Sequence, residues 1–516
     1  MPEASYARVL CTTSSGTNAI GTSAAAIFDT DHSSVVFTNS VSKSITWDQS
    51  AGTFTFNNAG IYHVCANLIT ESSAGTQTHT VTFNLNAEAA IYTGSVTAPA
   101  SMDPVGHTHQ RIISVSAGDV LHAKMATSAA TAAVGAGSAL VINEITSAVY
   151  ASSTVTTAGT NSITTEFNPY DTDGDGPAFA AAGKVANGIT WEDTPGRMTV
   201  PSAGRYFIMV TNFHATGETT NSDIDIKLKS GSDVLWTADS RNHSSTDPME
   251  STICVIEDLA ASAEIMVTWD IGSGACHAAL GATFTMYKLN DKISDRQKTL
   301  DLVNSYITVV NKAEMTASAA KTNPFDEDSY SSADFDTRTS GGITFNSADG
   351  TFTFAKEGTY WVIFNSYVKV ASDSVVNTII KVTDGANDPD ILNASPRVDS
   401  FIDPSNRTFA TTHYMVAGDS LIVTIDSDSA DIQAFPGTSM TIVRVPDWAH
   451  KETAGSNLIG DDFTINTFSQ GGLSVQHQRT ADQVPFALGV KGPMSLRGKV
   501  VGTTTPYNVT KGQKKN

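Results

Sequence analysis

The chain predicts an all-β protein of three tandem β-sandwich domains followed by an extended C-terminal arm. Two observations carry this. One sentence is written three times: ITWDQSAGTFTFNNAGIY from Ile45, ITWEDTPGRMTVPSAGRY from Ile189 and ITFNSADGTFTFAKEGTY from Ile343. The matched glycines, Gly60, Gly204 and Gly358, lie 144 and 154 residues apart, a whole domain rather than a solenoid unit. Within each copy, short apolar-alternating runs recur with turn residues between them, the pattern of a sandwich or barrel. No long amphipathic helical stretch appears. The boundaries read as 1–148, 149–292 and 293–446 for the three domains and 447–516 for the arm.

The first shared strand is TFTF at Thr53–Phe56, RMTV at Arg197–Val200 and TFTF at Thr351–Phe354. Period two with β-branched and aromatic residues means one buried face. Phe54 and Phe56, Met198 and Val200, and Phe352 and Phe354 should point inward. Gly52, Gly196 and Gly350 precede these strands, where a hairpin turn needs positive φ. After the second turn come Tyr62, Tyr206 and Tyr360, which open the apolar runs YHVCANL, YFIMVTNF and YWVIFNSY. Asp-Pro follows at Asp103-Pro104, Asp247-Pro248 and Asp403-Pro404. A later Gly-Asp turn stands at Gly118-Asp119 and Gly418-Asp419, whereas the middle copy has Ser262-Ala263 and lacks that signal. Each copy closes on a last strand: SALVINEI, ATFTMYKL or SMTIVRV. Asp291–Asn304 could hold a short helix at a join.

These residues carry a resemblance. The aromatic, then Gly-[Thr/Arg]-[Phe/Met]-Thr-[Phe/Val], then Gly-x-Tyr, with the Gly-Asp turn and closing strand, resembles the tumour necrosis factor / complement globular-head superfamily. It covers about 440 residues in three copies. The resemblance implies a ten-stranded jelly roll that packs about a threefold axis through its inner sheet. No collagen-like stalk is present, which departs from the complement pattern. In such a fold the termini of each domain lie close together. The short joins near Thr146–Thr156 and Asp291–Asp301 therefore predict one intrachain pseudo-trimer, with the inward Tyr and Phe positions meeting on its axis. A row of separate domains and a true homotrimer are the alternatives.

Net charge is −21 and the pI about 4.8, so a broad basic face for nucleic acid is not expected. The sign reverses at the end. Lys491, Arg497, Lys499, Lys511, Lys514 and Lys515 follow Gln483 with no acid among them, which reads as an arm for an acidic partner surface. Cys11, Cys65, Cys254 and Cys276 have no CxxC spacing and read as buried free thiols. No secretory leader or membrane span is expected.

DTDGDGP at Asp171–Pro177 places Asp171, Asp173 and Asp175 at the spacing of a Ca²⁺ loop. Position twelve is Ala182 rather than Glu, and a solvated acidic loop is the competing reading. His107-Thr108-His109 alternates, so both imidazoles face one side. That suggests a metal on a threefold axis or, more simply, surface histidines at a strand entrance. No GxSxG, HExxH, P-loop or dinucleotide fingerprint appears, so an enzyme is not expected. The functional expectation is a virion protein of a tailed phage, assembled in the host cytoplasm. It would decorate or stabilise the capsid or form a fibre-like projection, attached by its arm to a major capsid or tail protein. A host-receptor or glycan-binding head is the alternative, and a bacterial surface or spore-layer protein the third.

Overall fold

The computed structural model describes residues 5–13, 20–30, 36–72, 75–86, 89–100, 104–129, 131–159, 165–172, 179, 183–215, 222–242, 248–289, 305–316, 321–327, 334–370, 373–383, 389–398, 405–427, 432–445, 463–469, 472–477, 496–498 and 507–509. The predicted helix between Asp291 and Asn304 lies outside them. One compact unit comprises Ala4–Asp291 and Asn304–Pro446. A second comprises Met1–Glu3, Lys292–Val303 and Asp447–Asn516.

The first unit holds six antiparallel sheets in three pairs. In the first copy the inner sheet runs Val36–Lys43, Tyr6–Thr13, Ala139–Glu144, Gly60–Ser72, Val105–Val115. The outer sheet runs Ile45–Asp48, Thr53–Phe56, Val120–Thr127, Gln77–Leu85, Ala90–Ala98. Ten strands in this order make a jelly roll. The other copies repeat the order strand for strand, with Gly204–Ala215 and Gly358–Val370 at the centre of their inner sheets. The second unit, taken by itself, has two short antiparallel pairs. Phe463–Ser469 pairs with Gly472–His477, and Leu496–Gly498 with Tyr507–Val509.

The two sheets of each pair are buried differently. In the outer strand Gln77–Leu85 buried residues alternate with half-buried ones. In the inner strand Gly60–Ser72 nine consecutive residues, Tyr62 to Thr70, are buried. Sheets covered on both faces read as continuous apolar runs, which is why YHVCANL, YFIMVTNF and YWVIFNSY do not alternate. One face of each inner sheet meets its own outer sheet. Phe54, Phe56, Met198, Val200, Phe352 and Phe354 all sit there at 0% exposure, as the alternation predicts.

The turns follow the repeat too. Gly52, Gly196 and Gly350 take φ of 62°, 71° and 66°. The missing Gly-Asp does not remove the middle turn. Ser262 adopts φ 63° and its N–H reaches Val200 O, as Gly118 and Gly418 reach Phe56 O and Phe354 O.

Candidate functional site

The outward faces of the three inner sheets meet one another. A single apolar cluster takes Cys65, Ile112 and Val141 from the first copy. It takes Phe207, Met209, Cys254 and Ile256 from the second, and Trp361, Ile363, Ala410 and Val443 from the third. The expectation that the inward Tyr and Phe positions meet there needs correcting: Phe54 and Phe56, and Phe352 and Phe354, lie inside their own sandwiches. Tyr62, Tyr206 and Tyr360 point the other way, each into its own sandwich. Their hydroxyls donate to Asn58 O, Ser202 O and Lys356 O, four residues back in every copy. Because successive strand residues face opposite sides, the next position lies on the axis. His63, Phe207 and Trp361 form a closed triangle of rings, with centroids 5.8, 5.0 and 5.2 Å apart.

Polar layers stand beside this triangle. Gln110 Nε2 donates across the copy boundary to Met209 O and Thr283 O. Its Oε1 is left to accept from His63 Nε2 at 2.9 Å, which places the imidazole hydrogen on Nε2. Asn67 Nδ2 donates to Thr408 O at 2.9 Å. Tyr367 O–H donates to Thr252 O at 3.1 Å, and Thr441 O–H to Cys254 O at 2.8 Å. Arg8 Nη1 donates to Thr411 Oγ1 at 2.9 Å. Copy one thus bonds to copies two and three, and three bonds to two, so the ring is closed within one chain.

The histidine pair is not at the surface. His107 is 2% and His109 0% exposed. His109 Nδ1 lies 2.9 Å from Tyr92 Oη, and its Nε2 is 2.8 Å from His107 Nδ1. His107 Nε2 is 3.2 Å from Thr70 Oγ1, which lies 2.8 Å from His79 Nδ1. His79 Nε2 reaches Ser72 Oγ at 3.2 Å. All six ring nitrogens are engaged, so no lone pair is left for an axial metal. Among the described residues no group of three His, Cys, Asp or Glu side chains is arranged to hold one. Sequence reasoning missed this burial because the covering atoms belong to other copies; Phe213 stacks on His109 at 5.2 Å.

The same layer holds the most perturbed carboxyl among the described residues. Glu250 is 2% exposed. Burial raises its carboxyl to about 8, against the pull of the Thr252 hydroxyl and of Arg407. Arg407, 3% exposed, is itself pushed down to about 10 by desolvation. Gly106 makes room for it: a Cβ there would lie 2.8 Å from Arg407 Cδ. Gly106, Glu250 and Asn406 occupy one strand position in the three copies, as do His107, Ser251 and Arg407.

The four cysteines are buried and none is in a disulfide. Asp171 lies next to Tyr170 at the turn beneath Gly196; Asp173 and Asp175 lie outside the described residues. So do Lys491, Lys499, Lys511, Lys514 and Lys515. Arg497 pairs with Asn508 in the short strand Leu496–Gly498.

No family model and no curated protein sequence matches this chain. Among solved structures it is similar to Eiger TNF from S. frugiperda, at 15% identity and a TM-score of 0.21, covering 28% of this chain and 94% of that one. It is also similar to the CBM22-1–CBM22-2 tandem domain from Paenibacillus barcinonensis, at 10% identity and a TM-score of 0.15, covering 46% and 82%. A Paenibacillus xanthan lyase shares 10% identity at a TM-score of 0.16, covering 76% and 50%. The jelly-roll assignment rests on the strand order above rather than on these scores. The arrangement is that of three β-sandwiches closed around one axis within one chain.

Proposed function

We propose that this chain is a structural protein of a tailed-phage particle, assembled in the host cytoplasm, which decorates or stabilises the capsid or projects from it. One observation carries the reading: three jelly rolls close around an axis filled with side chains, inside one chain. The broad inner faces are thereby spent on packing. The function is mechanical, with burial of apolar surface holding a compact head, and proceeds without catalysis. The basic segment Lys491–Lys515 supports attachment, since the rest of the chain is strongly acidic. It would dock on an acidic surface of a major capsid or tail protein, and the contact should weaken with salt.

The test is the solution mass of the chain, alone and with shells. Two forms are compared with the parent: the chain ended after Trp448, and a full-length chain with the six basic residues changed to Gln. The expected outcome is a particle of one chain mass, 54.3 kDa, that binds shells only with its basic residues intact. A three-chain mass, or shell binding indifferent to those residues, overturns the proposal. Binding to host cells instead would move the assignment to a receptor or glycan-binding head.

A further inference from the structure

The three copies differ at the edge of the sandwich that faces away from the axis. In the third copy the strands Phe335–Gly341 and Ile343–Asn346 end the inner and outer sheets there. Beside them lies a cleft of about 380 Å³, lined by Glu327, Asp334, Phe335, Thr337, Phe345 and Ser347. Two carboxylates and two rings line it, and among the described residues no basic side chain does. The rings form a corner, with centroids 5.6 Å apart and planes at 83°. Glu327 Oε2 accepts from Ser347 O–H. Lys312 Nζ lies 3.8 Å from Asp334 Oδ1, beyond hydrogen-bond reach, and does not line the cleft.

The second copy shows what chemistry suits this place. Its corner is Phe179 against Trp191, with centroids 5.3 Å apart, and a lysine of the chain sits on it. Lys184 Nζ lies 5.9 Å from the Phe179 centroid and 2.6 Å from Asp193 Oδ2. Counted from the equivalent Tyr150 and Tyr306, the strand pairing puts Thr337 at the position of Lys184. The repeated sentence puts Phe345 at Trp191 and Ser347 at Asp193. The lost acid reappears across the strand pair: Glu327 N–H donates to Ser347 O as Thr172 N–H does to Asp193 O. The first copy also carries the indole, Trp47 packing on Phe37 at 5.8 Å. The third copy thus keeps the ring corner and a carboxylate. It has Thr for Lys and phenyl for indole, and it is open where the second copy holds its own ammonium.

We infer that this cleft binds a primary alkylammonium group. Such a nitrogen has three N–H donors and no acceptor, and the Glu327 and Asp334 carboxylates and the Thr337 hydroxyl oxygen accept from it. The negative ring faces attract the same charge, while the alkyl chain lies against the phenyl carbons. Two rings beside two carboxylates suit an organic cation, whereas a hard metal ion would need more oxygen ligands than these. The group has two sources: a free amine, or a lysine side chain of a partner protein.

The test uses the full chain with ring-¹³C phenylalanine, the Phe345 resonance being assigned from Phe345→Leu. Butylammonium chloride is titrated against matched sodium chloride and against butanol. The Phe345 ring resonance should shift saturably with the amine and with neither control. Glu327, Asp334 and Thr337 are exposed, so substitutions there leave the core untouched. Glu327→Gln combined with Asp334→Asn should weaken binding by about tenfold. Thr337→Lys, which gives the third copy the ammonium of the second, should abolish it. No saturable shift at about 0.1 M amine, an equal response to either control, or unchanged binding in either variant overturns the inference. A Gly-Gly-Lys-Gly-Gly peptide capped at both ends separates the sources. Binding at least as tight as that of butylammonium identifies a partner's lysine, and weaker binding identifies a free amine.

Discussion

His63, His79, His107, His109 and His214 are all at most 2% exposed, and burial holds each imidazole neutral. His63 and His79 are pushed down to about 4, His109 and His214 to about 3, and His107 lies well below its usual value. A base whose folded pKa is depressed leaves the unfolded chain binding more protons between its folded value and about 6.5. Stability is therefore full above pH 6.5 and is lost as pH falls toward 4. His63, His79, His109 and His214 each contribute on the order of 2–3 kcal/mol to that loss. Thermal unfolding followed from pH 7.5 to 4.5 should show a steep fall in Tm beginning near 6.5; a flat profile would refute the burial of these rings. Glu250 works in the opposite direction. With its carboxyl raised to about 8, its contribution is full below the unfolded value and fades as pH rises through 8. Glu250→Gln should gain on the parent progressively between pH 5 and 9, by a few kcal/mol at most, as read from denaturant midpoints at each pH. Ser262 shows strain of another kind. A non-Gly residue at φ 63° costs about 1 kcal/mol, so Ser262→Gly should raise the unfolding free energy by about that amount, read as a higher denaturation midpoint. An unchanged or lowered midpoint would remove the strain argument.

At the level of strands and turns, one contact is repeated around the ring. The tight turn before each closing strand places a glycine at φ 91°, 93° and 93°: Gly137, Gly281 and Gly437. Each presses on an outer-sheet strand of a neighbouring copy. A Cβ on Gly137 would lie 2.2 Å from Ala394 Cβ, one on Gly281 2.4 Å from Gly94 Cα, and one on Gly437 2.3 Å from Ala238 Cβ. Small residues are required on both sides of all three contacts. Ala394→Leu should cost about 2–3 kcal/mol through overpacking in a urea titration, whereas Gly21→Ala, with open space around it, should change nothing measurable. Equal effects of the two would mean the copies do not touch there. None of this was legible beforehand, because Gly-Ser, Gly-Ala and Gly-Thr after a turn look like any hairpin. What was legible is local. Thr-Phe-Thr-Phe places its phenylalanines because one covered face imposes period two. The unbroken run after each tyrosine was the available sign of a second covered face, but not of what covers it. His63, Phe207 and Trp361 share a position and no chemistry, so only their meeting reveals the position as special. His107 and His109 read as surface residues for the same reason: their cover comes from residues over a hundred positions away, such as Phe213 on His109.

For the whole molecule, equivalent turns engaging equivalent strands in a cycle of three is the signature of a heterologous interface that closes. A homotrimer must repeat every axial residue three times. Here each copy supplies its own, and Glu250, Arg407 and Gly106 fit one another only in this order. The chain therefore has a backbone of three like parts and an axial packing with no repeat. Seated on any support that is itself strictly threefold, it could enter in three rotational settings that the support cannot tell apart. Averaging such particles with imposed symmetry would merge imidazole, phenyl and indole into one density. Any feature present once per chain would fade to a third of its weight at each of three places.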